Sequence, residues 1–205
     1  NVKLIDVSAT KGVAAMTEKG FVAGDVEYEI DCMIFASGFE VSSDLDRRWG
    51  FDVFEGRDGL SIYDHWADGY KTLHGLMTHA FPNQFFIGYY QGGLNASTTE
   101  QYRQQSSHCV YIIKEALARG ISAVEPSAAA QDAWVRHLRE TAVDLTDFQS
   151  ACTPSYYNNE SETKTGSDGK AKYRHFLGET YGPGWTAFEK ILKDWRDKGD
   201  LDGML

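Results

Sequence analysis

Basic charge is scarce in this sequence, and the scarcity excludes one class of partner. Lysine and arginine number 20 against 30 aspartates and glutamates in 205 residues, which gives a net charge of -10. Proteins that bind nucleic acid present a basic face to the phosphates, and the sequence contains no basic cluster of that kind. We therefore expect no nucleic-acid partner.

Cysteine and long apolar runs are also scarce. Cys32, Cys109 and Cys152 lack CxxC spacing, and His74 and His79 are poorly spaced for a helical metal site. We expect thiols rather than disulfides, no bound metal and a cytoplasmic location. No apolar run approaches the roughly 18 residues that span a bilayer, so we expect no membrane helix.

The sequence begins without an initiator methionine. Its first residues, NVKLID, enter directly into a strand-like alternation. We interpret the sequence as a part of a longer protein. The residues are 42% hydrophobic and 13% aromatic, which suffices for a sizeable core.

The N-terminal part predicts β-structure. The turn sequences EKG and AGD separate alternating segments, which is typical of a β-meander. The uninterrupted apolar runs MIFA and FFIGYY predict strands that are buried on both faces. Between these two runs, frequent glycines over residues 41–80 predict irregular structure. The predicted strands are 2–6, 13–17, 20–23, 26–30, 33–36 and 85–90.

The remainder predicts helices. The segment STTE, from Ser97 to Glu100, has the form of a capping box and precedes an apolar stripe, which predicts a helix over 98–119 that ends at Gly120. Ser127 is the expected N-cap of a second helix, and an amphipathic pattern predicts a last helix over 185–198. The polar segment 152–172 is expected to form a surface excursion.

A glycine-containing turn, QGG, lies between the FFIGYY run and the helix predicted at 98. A strand, a turn and a helix N-terminus in this order can place free N–H groups against an anionic ligand, such as a phosphate or a reduced flavin. Plain helix capping explains the same residues, and the pattern alone leaves both interpretations open.

Three segments together resemble one enzyme family. DCMIFASGFE is similar to the D-x-x-x-x-A-T-G-F-D/E segment of two-dinucleotide-binding-domain flavoproteins. FPNQFFIGYYQGG resembles the F-P-N-L-F-F-I-x-G-P-x-G segment of flavin-dependent Baeyer–Villiger monooxygenases, and ACTPSYYNNE resembles a late segment of the same enzymes. The resemblance covers nearly the whole chain.

The resemblance implies an α/β fold, namely the C-terminal part of a two-dinucleotide-binding-domain flavoprotein with a β-meander and a helical C-terminal region. It assigns residues 1–36 to the end of the NADP-binding domain and the linking strands. Residues 37–125 would form the C-terminal part of the FAD-binding domain. Residues 126–205 would form the helical C-terminal region that includes the excursion.

The resemblance also implies chemistry. The family uses FAD and NADPH to insert one atom of molecular oxygen next to a ketone carbonyl, which gives an ester or lactone. No G-x-G-x-x-G turn occurs in the sequence, so the pyrophosphate loops are expected in a missing N-terminal part of the same protein. The catalytic arginine is likewise expected upstream of residue 1, and we assign no catalytic residue here. The isolated chain is expected to be inactive.

Cofactor-binding residues follow from the matched positions. Ser37 and Gly38 stand where the family has Thr-Gly, at the crossing between the two dinucleotide-binding domains. Ser97, Thr98 and Thr99 begin the helix that faces the flavin, and Thr99 lies where the family makes a backbone contact with it. Tyr156 stands where many members carry a tryptophan that reaches the nicotinamide nucleotide.

Substrate-binding residues come from the loop before that helix. Gln91, Leu94, Asn95 and Ala96 match the loop that lines the ketone pocket. The loop reads Gly-Gly-Leu-Asn instead of the commoner small-Ser-Pro pattern, so the range of ketones does not carry over.

Two other functions fit parts of the pattern. One is a related flavin monooxygenase that oxygenates nitrogen or sulfur, although the long C-terminal region with Tyr156 argues against it. A non-catalytic scaffold domain that has lost its cofactor sites would also lack the glycine turns.

Overall fold

The structure is a computed structural model that describes residues 2–10, 12–36, 45–143, 151–152, 164–165, 171–172 and 180–205. It divides the chain into two compact units, Asn1–Phe39 and Glu40–Leu205, and each is treated by itself below. The three functional regions assigned from the sequence, with boundaries after residues 36 and 125, stay a prediction.

The first unit is built on the predicted β-meander. Its strands are β1 (Ala15–Met16), β2 (Gly20–Ala23) and β3 (Val26–Glu29), and β2 pairs antiparallel with both neighbours. The rings of Phe21 and Tyr28, which are register partners in β2 and β3, stack with centroids 5.3 Å apart. The meander predicted from its two turns is confirmed.

Two other strands predicted for this unit are wrong. Residues 2–6 and 33–36 are not in strands, and Ile34 and Phe35 are 86% and 79% exposed. An apolar run forms a buried strand only when neighbouring strands take up its backbone hydrogen bonds. No strand of the described residues pairs with either segment.

The second unit is mainly helical. A two-stranded ladder pairs β4 (Lys164–Thr165) with β5 (Ala171–Lys172). Both strands lie within the predicted excursion, and the rest of 153–170 lies outside the described residues. Among the described residues, no helix is both long and apolar enough to cross a membrane. The helices are α1 (Leu45–Trp49), α2 (Ile62–His65), α3 (Thr98–Ala118), α4 (Ala128–Thr141) and α5 (Trp185–Lys198).

The boundaries of the long helices agree with the sequence signals. Helix α3 ends before Gly120, whose φ of 68° is the left-handed conformation that glycine adopts without a Cβ penalty. The Ser127 hydroxyl accepts a hydrogen bond from the Ala130 N–H at 3.2 Å and so caps α4. The predicted starts and ends are confirmed to within one residue.

The strand predicted at FFIGYY is wrong. Residues 85–90 have no strand pairing, although the Phe86 N–H donates to the Leu76 carbonyl at 2.7 Å. Phe86 is buried while Ile87 is 43% exposed, so only one side of the run faces the core. Gly88 then turns the chain with a φ of 151°, a conformation that interrupts a strand.

The core of this unit joins α3, α4 and α5. Helix α5 buries Phe188, Leu192 and Trp195, and Trp195 shares a cluster with Ile112 and Ala116 of α3. A second cluster joins α5 to α4 through Trp134 and Leu138. A third cluster lies around Trp66 and Phe81. Its buried members are Leu45, Ile62, Trp66, Ala80, Phe81 and Phe86.

A row of polar side chains crosses the α3–α5 contact. Arg196 Nη1 lies 3.3 Å from His108 Nδ1, and His108 Nε2 lies 3.3 Å from His74 Nδ1. Because arginine can only donate, His108 Nδ1 must accept, so His108 carries its proton on Nε2 and donates to His74. The arginine thus fixes the tautomer of both imidazoles.

Both imidazoles are neutral in the folded chain. Burial lowers the pKa of His74 to about 4, an effect that Asp202 opposes and Arg196 reinforces. Burial also lowers the pKa of His108 to about 2, with further contributions from His74 and Arg196. The unfolded chain therefore binds more protons than the folded chain once the pH falls below the ordinary histidine value.

We predict that acid destabilises the fold through this pair. Since both folded pKa values lie below the unfolded one, the free energy of unfolding decreases as the pH falls from about 6.5 to about 4, by up to ~2.7 kcal/mol per pH unit for two protons. Urea unfolding monitored by tryptophan fluorescence measures this slope. His108→Gln, which can still accept from Arg196, should roughly halve it; an unchanged slope would contradict the assignment.

Candidate functional site

The N-terminus of helix α3 has no side-chain capping bond from its N-cap residue. Ser97 is the N-cap residue, but its hydroxyl makes no capping bond and instead lies 3.1 Å from the Thr99 hydroxyl. The Ser97 N–H donates to Asn95 Oδ1 at 2.8 Å, and Glu100 bonds Arg103 rather than reaching back. The reciprocal capping box is therefore wrong, and the N–H groups of 98–100 hydrogen-bond no described residue.

The charges around this helix start are balanced. The hydrogen bond from Arg103 lowers the pKa of the Glu100 carboxyl, so it stays ionised and paired at the surface. Thr98 places its hydroxyl 3.1 Å from that of Tyr89, and the ring of Tyr102 lies beside Tyr89 with centroids 6.4 Å apart. The carboxylate in the first turn of α3 is thus paired with Arg103 rather than left alone at the positive end of the helix dipole.

Two buried glutamines of α3 hold the loop that leads into it. Gln105 Nε2 donates to the Gly88 carbonyl at 2.7 Å, and Gln105 Oε1 accepts from the Gly88 N–H at 3.1 Å. Gln101 Oε1 accepts from the Asn95 N–H at 3.2 Å, and its Nε2 lies 3.4 Å from the Gly88 carbonyl. Both ends of the 88–95 loop are thereby fixed to the helix that follows.

Gln91 fixes the middle of the loop from the other side. It is 3% exposed, and its Oε1 accepts from the N–H and the hydroxyl of Thr72 at 2.8 and 2.9 Å. Its Nε2 donates to the Tyr70 carbonyl at 2.6 Å, and its own carbonyl accepts from Trp134 Nε1 at 3.1 Å. The side chain of Gln91 is thus occupied within the protein.

Helix α5 supports the two glycines of the loop. A Cβ at Gly93 would lie 2.6 Å from Cδ1 of Phe188, which is closer than a carbon–carbon contact allows. A Cβ at Gly92 would meet the same ring at 3.4 Å, and the Gly92 carbonyl accepts from the Tyr181 N–H at 3.0 Å. The loop approaches α5 closely because Gly93 has no side chain.

The rest of the predicted loop faces outward. Leu94 and Ala96 are exposed, and Asn95 is half-buried. Ser97, Thr98 and Thr99 are exposed at the start of α3, directly beyond them. The predicted ketone-lining residues and the predicted flavin-facing residues therefore form one continuous surface, except for the inward side chain of Gln91.

Ser37, Gly38 and Tyr156 lie outside the described residues. Their predicted roles at the domain crossing and at the nicotinamide stay predictions. Within the described part of the chain, no group of three or more histidine, cysteine, aspartate or glutamate side chains is arranged to hold a metal ion.

Comparison with known proteins identifies the fold. No protein-family model matches the chain. Pentalenolactone D synthase of Streptomyces exfoliatus is 38% identical over 206 residues, which is 100% of this chain and 34% of the synthase. A Baeyer–Villiger monooxygenase of Streptomyces coelicolor is 36% identical over 206 residues, which is 100% of this chain and 32% of that enzyme. The chain is thus similar along its whole length to about a third of each of these two enzymes.

A solved structure supports the same relationship. The polycyclic ketone monooxygenase from the thermophilic fungus Thermothelomyces thermophila matches with a TM-score of 0.77 and 28% identity, over 95% of this chain and 30% of that one. The chain thus has the fold of the matching part of this monooxygenase, in agreement with the predicted α/β class. It spans about a third of the length of the curated relatives it matches.

The apolar pattern of α3 did not point to Gln101 and Gln105. That pattern predicts an apolar inner face made of Tyr102, Cys109, Ile112, Ile113 and Ala116, but Tyr102 and Ile113 are 38% and 40% exposed. The buried face continues from Ile112 and Ala116 through polar residues. One signal was available, because the buried residues Gln101, Gln104, Gln105, His108, Ile112 and Ala116 recur at helical spacing.

We predict that Gly93→Ala destabilises the second unit, since the added methyl group would overlap Phe188 of α5. The expected loss is about 1–3 kcal/mol of unfolding free energy, measured by urea denaturation. Gly92→Ala is the matched control and should cost less, because its Cβ would have ordinary van der Waals room. Combining Gly93→Ala with Phe188→Leu should cost less than the sum of the two changes. Equal effects at both glycines would contradict the close approach.

Proposed function

We propose that this chain is the C-terminal part of an FAD- and NADPH-dependent Baeyer–Villiger monooxygenase. The complete protein inserts one oxygen atom from O2 next to the carbonyl of a small-molecule ketone and releases an ester or lactone. The observation that carries the proposal is sequence identity along the whole chain to enzymes of this name. A cytoplasmic location is part of the same proposal.

The start of α3 fits a flavin. Its N–H groups at 98–100 hydrogen-bond no described residue, its hydroxyl-bearing residues are exposed, and the Glu100 carboxylate of its first turn is paired with Arg103. FAD, when bound, would accept hydride from NADPH and activate oxygen. Ser97, Thr98 and Thr99 would hold its ring edge, where the N–H donors and the helix dipole favour the negative charge of the reduced form.

The 91–96 loop fits the ketone side of the same site. Leu94 and Ala96 present exposed apolar groups next to the helix start, where an apolar ketone would be in contact. Asn95 would set the distance between ketone and helix, because its side chain accepts from Ser97. Gln91 would contribute to the ketone site by holding the loop, since its side chain and its carbonyl are buried and hydrogen-bonded within the protein.

The remaining machinery is assigned to polypeptide outside these 205 residues. There we place both pyrophosphate-binding glycine turns and the catalytic arginine. Helix α3 offers a surface for that polypeptide, because it exposes an apolar stripe opposite its buried face. The stripe consists of Tyr102, Val110, Ile113 and Leu117, which are 38–72% exposed. Ser37 and Gly38 would form the crossing between domains, and Tyr156 would donate to the nicotinamide nucleotide.

The test uses the protein expressed from its full coding sequence. We expect it to purify yellow, to retain stoichiometric FAD, and to consume NADPH and O2 while converting a ketone such as cyclohexanone, or one from a polycyclic panel, into a lactone. Product analysis by mass spectrometry measures the added oxygen atom. Oxygenation of amines or sulfides alone would favour the nitrogen- or sulfur-oxygenating alternative. A colourless protein would favour the scaffold.

We predict that the backbone of Thr99 matters more than its side chain. Thr99→Pro removes one N–H from the first turn of α3, where proline is compatible with a helix, and should weaken FAD retention about tenfold or more. Thr99→Ala keeps the N–H and should retain FAD like the parent protein. Flavin fluorescence titration of the reconstituted apoprotein measures both. Equal retention by the two variants would remove the α3 N-terminus from the flavin site.

A further inference from the structure

Gly88 is held at both of its backbone groups by one side chain. Gln105 is 4% exposed, and its amide forms a two-point pair with the N–H and the carbonyl of Gly88. Both distances, 3.1 and 2.7 Å, are those of normal hydrogen bonds. The pair fixes where the chain enters the loop and how the peptide of Gly88 is oriented.

A second amide acts at the other end of the loop. Gln101 is 1% exposed and lies one helical turn before Gln105 on the same face of α3. It accepts from the Asn95 N–H, and Asn95 in turn accepts from the Ser97 N–H. The exposed residues Leu94 and Ala96 therefore flank Asn95, whose backbone N–H and side chain are both hydrogen-bonded to residues at the start of α3.

Buried amides hold a loop firmly because water cannot reach them and replace the loop as their hydrogen-bond partner. Losing one partner of a buried hydrogen bond leaves the other unsatisfied, so the loop would have to move to find water. A displacement of about 1 Å in a substrate-positioning segment can cost two orders of magnitude in rate. The position of the loop relative to the α3 N-terminus thus depends on two glutamines that lie away from the surface.

We propose that Gln105, assisted by Gln101, is a positioning residue that sets the ketone-lining loop against the flavin-facing end of α3. The inference rests on the proposed function and goes beyond it, because neither glutamine lies on the exposed surface formed by 94–99. Its effect would appear in ketone affinity and in the fraction of NADPH consumption that yields product, while FAD stays bound.

The chain contains a matched control next to Gln105. Gln104 is 5% exposed on the same helix, and neither of its amide atoms has a hydrogen-bond partner among the described residues. Gln104→Met and Gln105→Met remove the same group from neighbouring buried positions with the same replacement. Only the second change breaks the pair with Gly88.

The experiment compares these variants in the complete, flavin-loaded protein. For Gln105→Met we expect unchanged FAD content, a ketone KM raised about tenfold or more, and a larger share of NADPH consumed without product. Gln104→Met should resemble the parent protein in all three. If the two variants behave alike, ketone binding does not depend on the pair between Gln105 and Gly88, and the inference fails.

A readout that does not depend on activity uses hydrogen exchange. The Gly88 N–H is protected by Gln105 and the Asn95 N–H by Gln101. In Gln105→Met, the peptide that covers 86–96 should exchange faster, whereas in Gln104→Met it should not. Unchanged exchange in both variants would show that the loop is held by other contacts and would overturn the inference.

Gln105→Glu provides a conservative rescue. A neutral carboxylic acid can accept from the Gly88 N–H and donate to its carbonyl as the amide does, whereas the carboxylate cannot donate. Burial favours the neutral form, so the ketone KM should approach the parent value as the pH is lowered from about 8.5 to about 6. A KM that stays raised to the same degree across this range would contradict the pairing.

Failure of the proposed function and failure of the role of Gln105 give different results. Absence of FAD from the parent protein would overturn the proposed function and the ketone role of Gln105 together, while exchange at Gly88 would still decide whether Gln105 holds the loop. A parent protein that oxidises ketones, with a Gln105→Met variant of normal KM, would overturn only the positioning role.

Discussion

The hydrogen bonds between the amides of α3 and the backbone of the 88–95 loop are the constraint on which the candidate site depends. They connect a helix, which is rigid, to a segment that has no regular structure of its own. Gln91 fixes the same loop from the opposite side through its hydrogen bonds with Thr72 and Tyr70. The exposed surface of Leu94 to Thr99 thus obtains a fixed shape from residues that are buried beneath it.

Packing and hydrogen bonding cooperate in this arrangement. Phe188 of α5 presses on Gly93, Trp134 of α4 donates to the Gln91 carbonyl, and α3 supplies the two clamping glutamines. Each of the three long helices therefore touches the loop. A change in any one of them reaches the candidate site through a single layer of side chains, which is how residues remote from a substrate influence its binding.

The sequence predicted the elements whose signals are local. Ser97 and Gly120 located the two ends of α3, Ser127 located the start of α4, and the turn residues located the β-meander. It failed at the runs MIFA and FFIGYY, because hydrophobicity records a tendency to be buried but not whether neighbouring strands are present. It also failed on the inner face of α3, since glutamine normally indicates a surface. Gln101 and Gln105 are buried only because the loop carbonyl and N–H groups meet them there.

The polar inner face of α3 has one more consequence. A helix that packs through aliphatic residues alone can slip or turn on its neighbour, since one methyl group substitutes for another at small cost. Gln101, Gln105 and His108 each need a specific partner, so any axial shift of α3 breaks several hydrogen bonds at once. The helix is thereby locked in a single register, and its N-terminus points in one direction only.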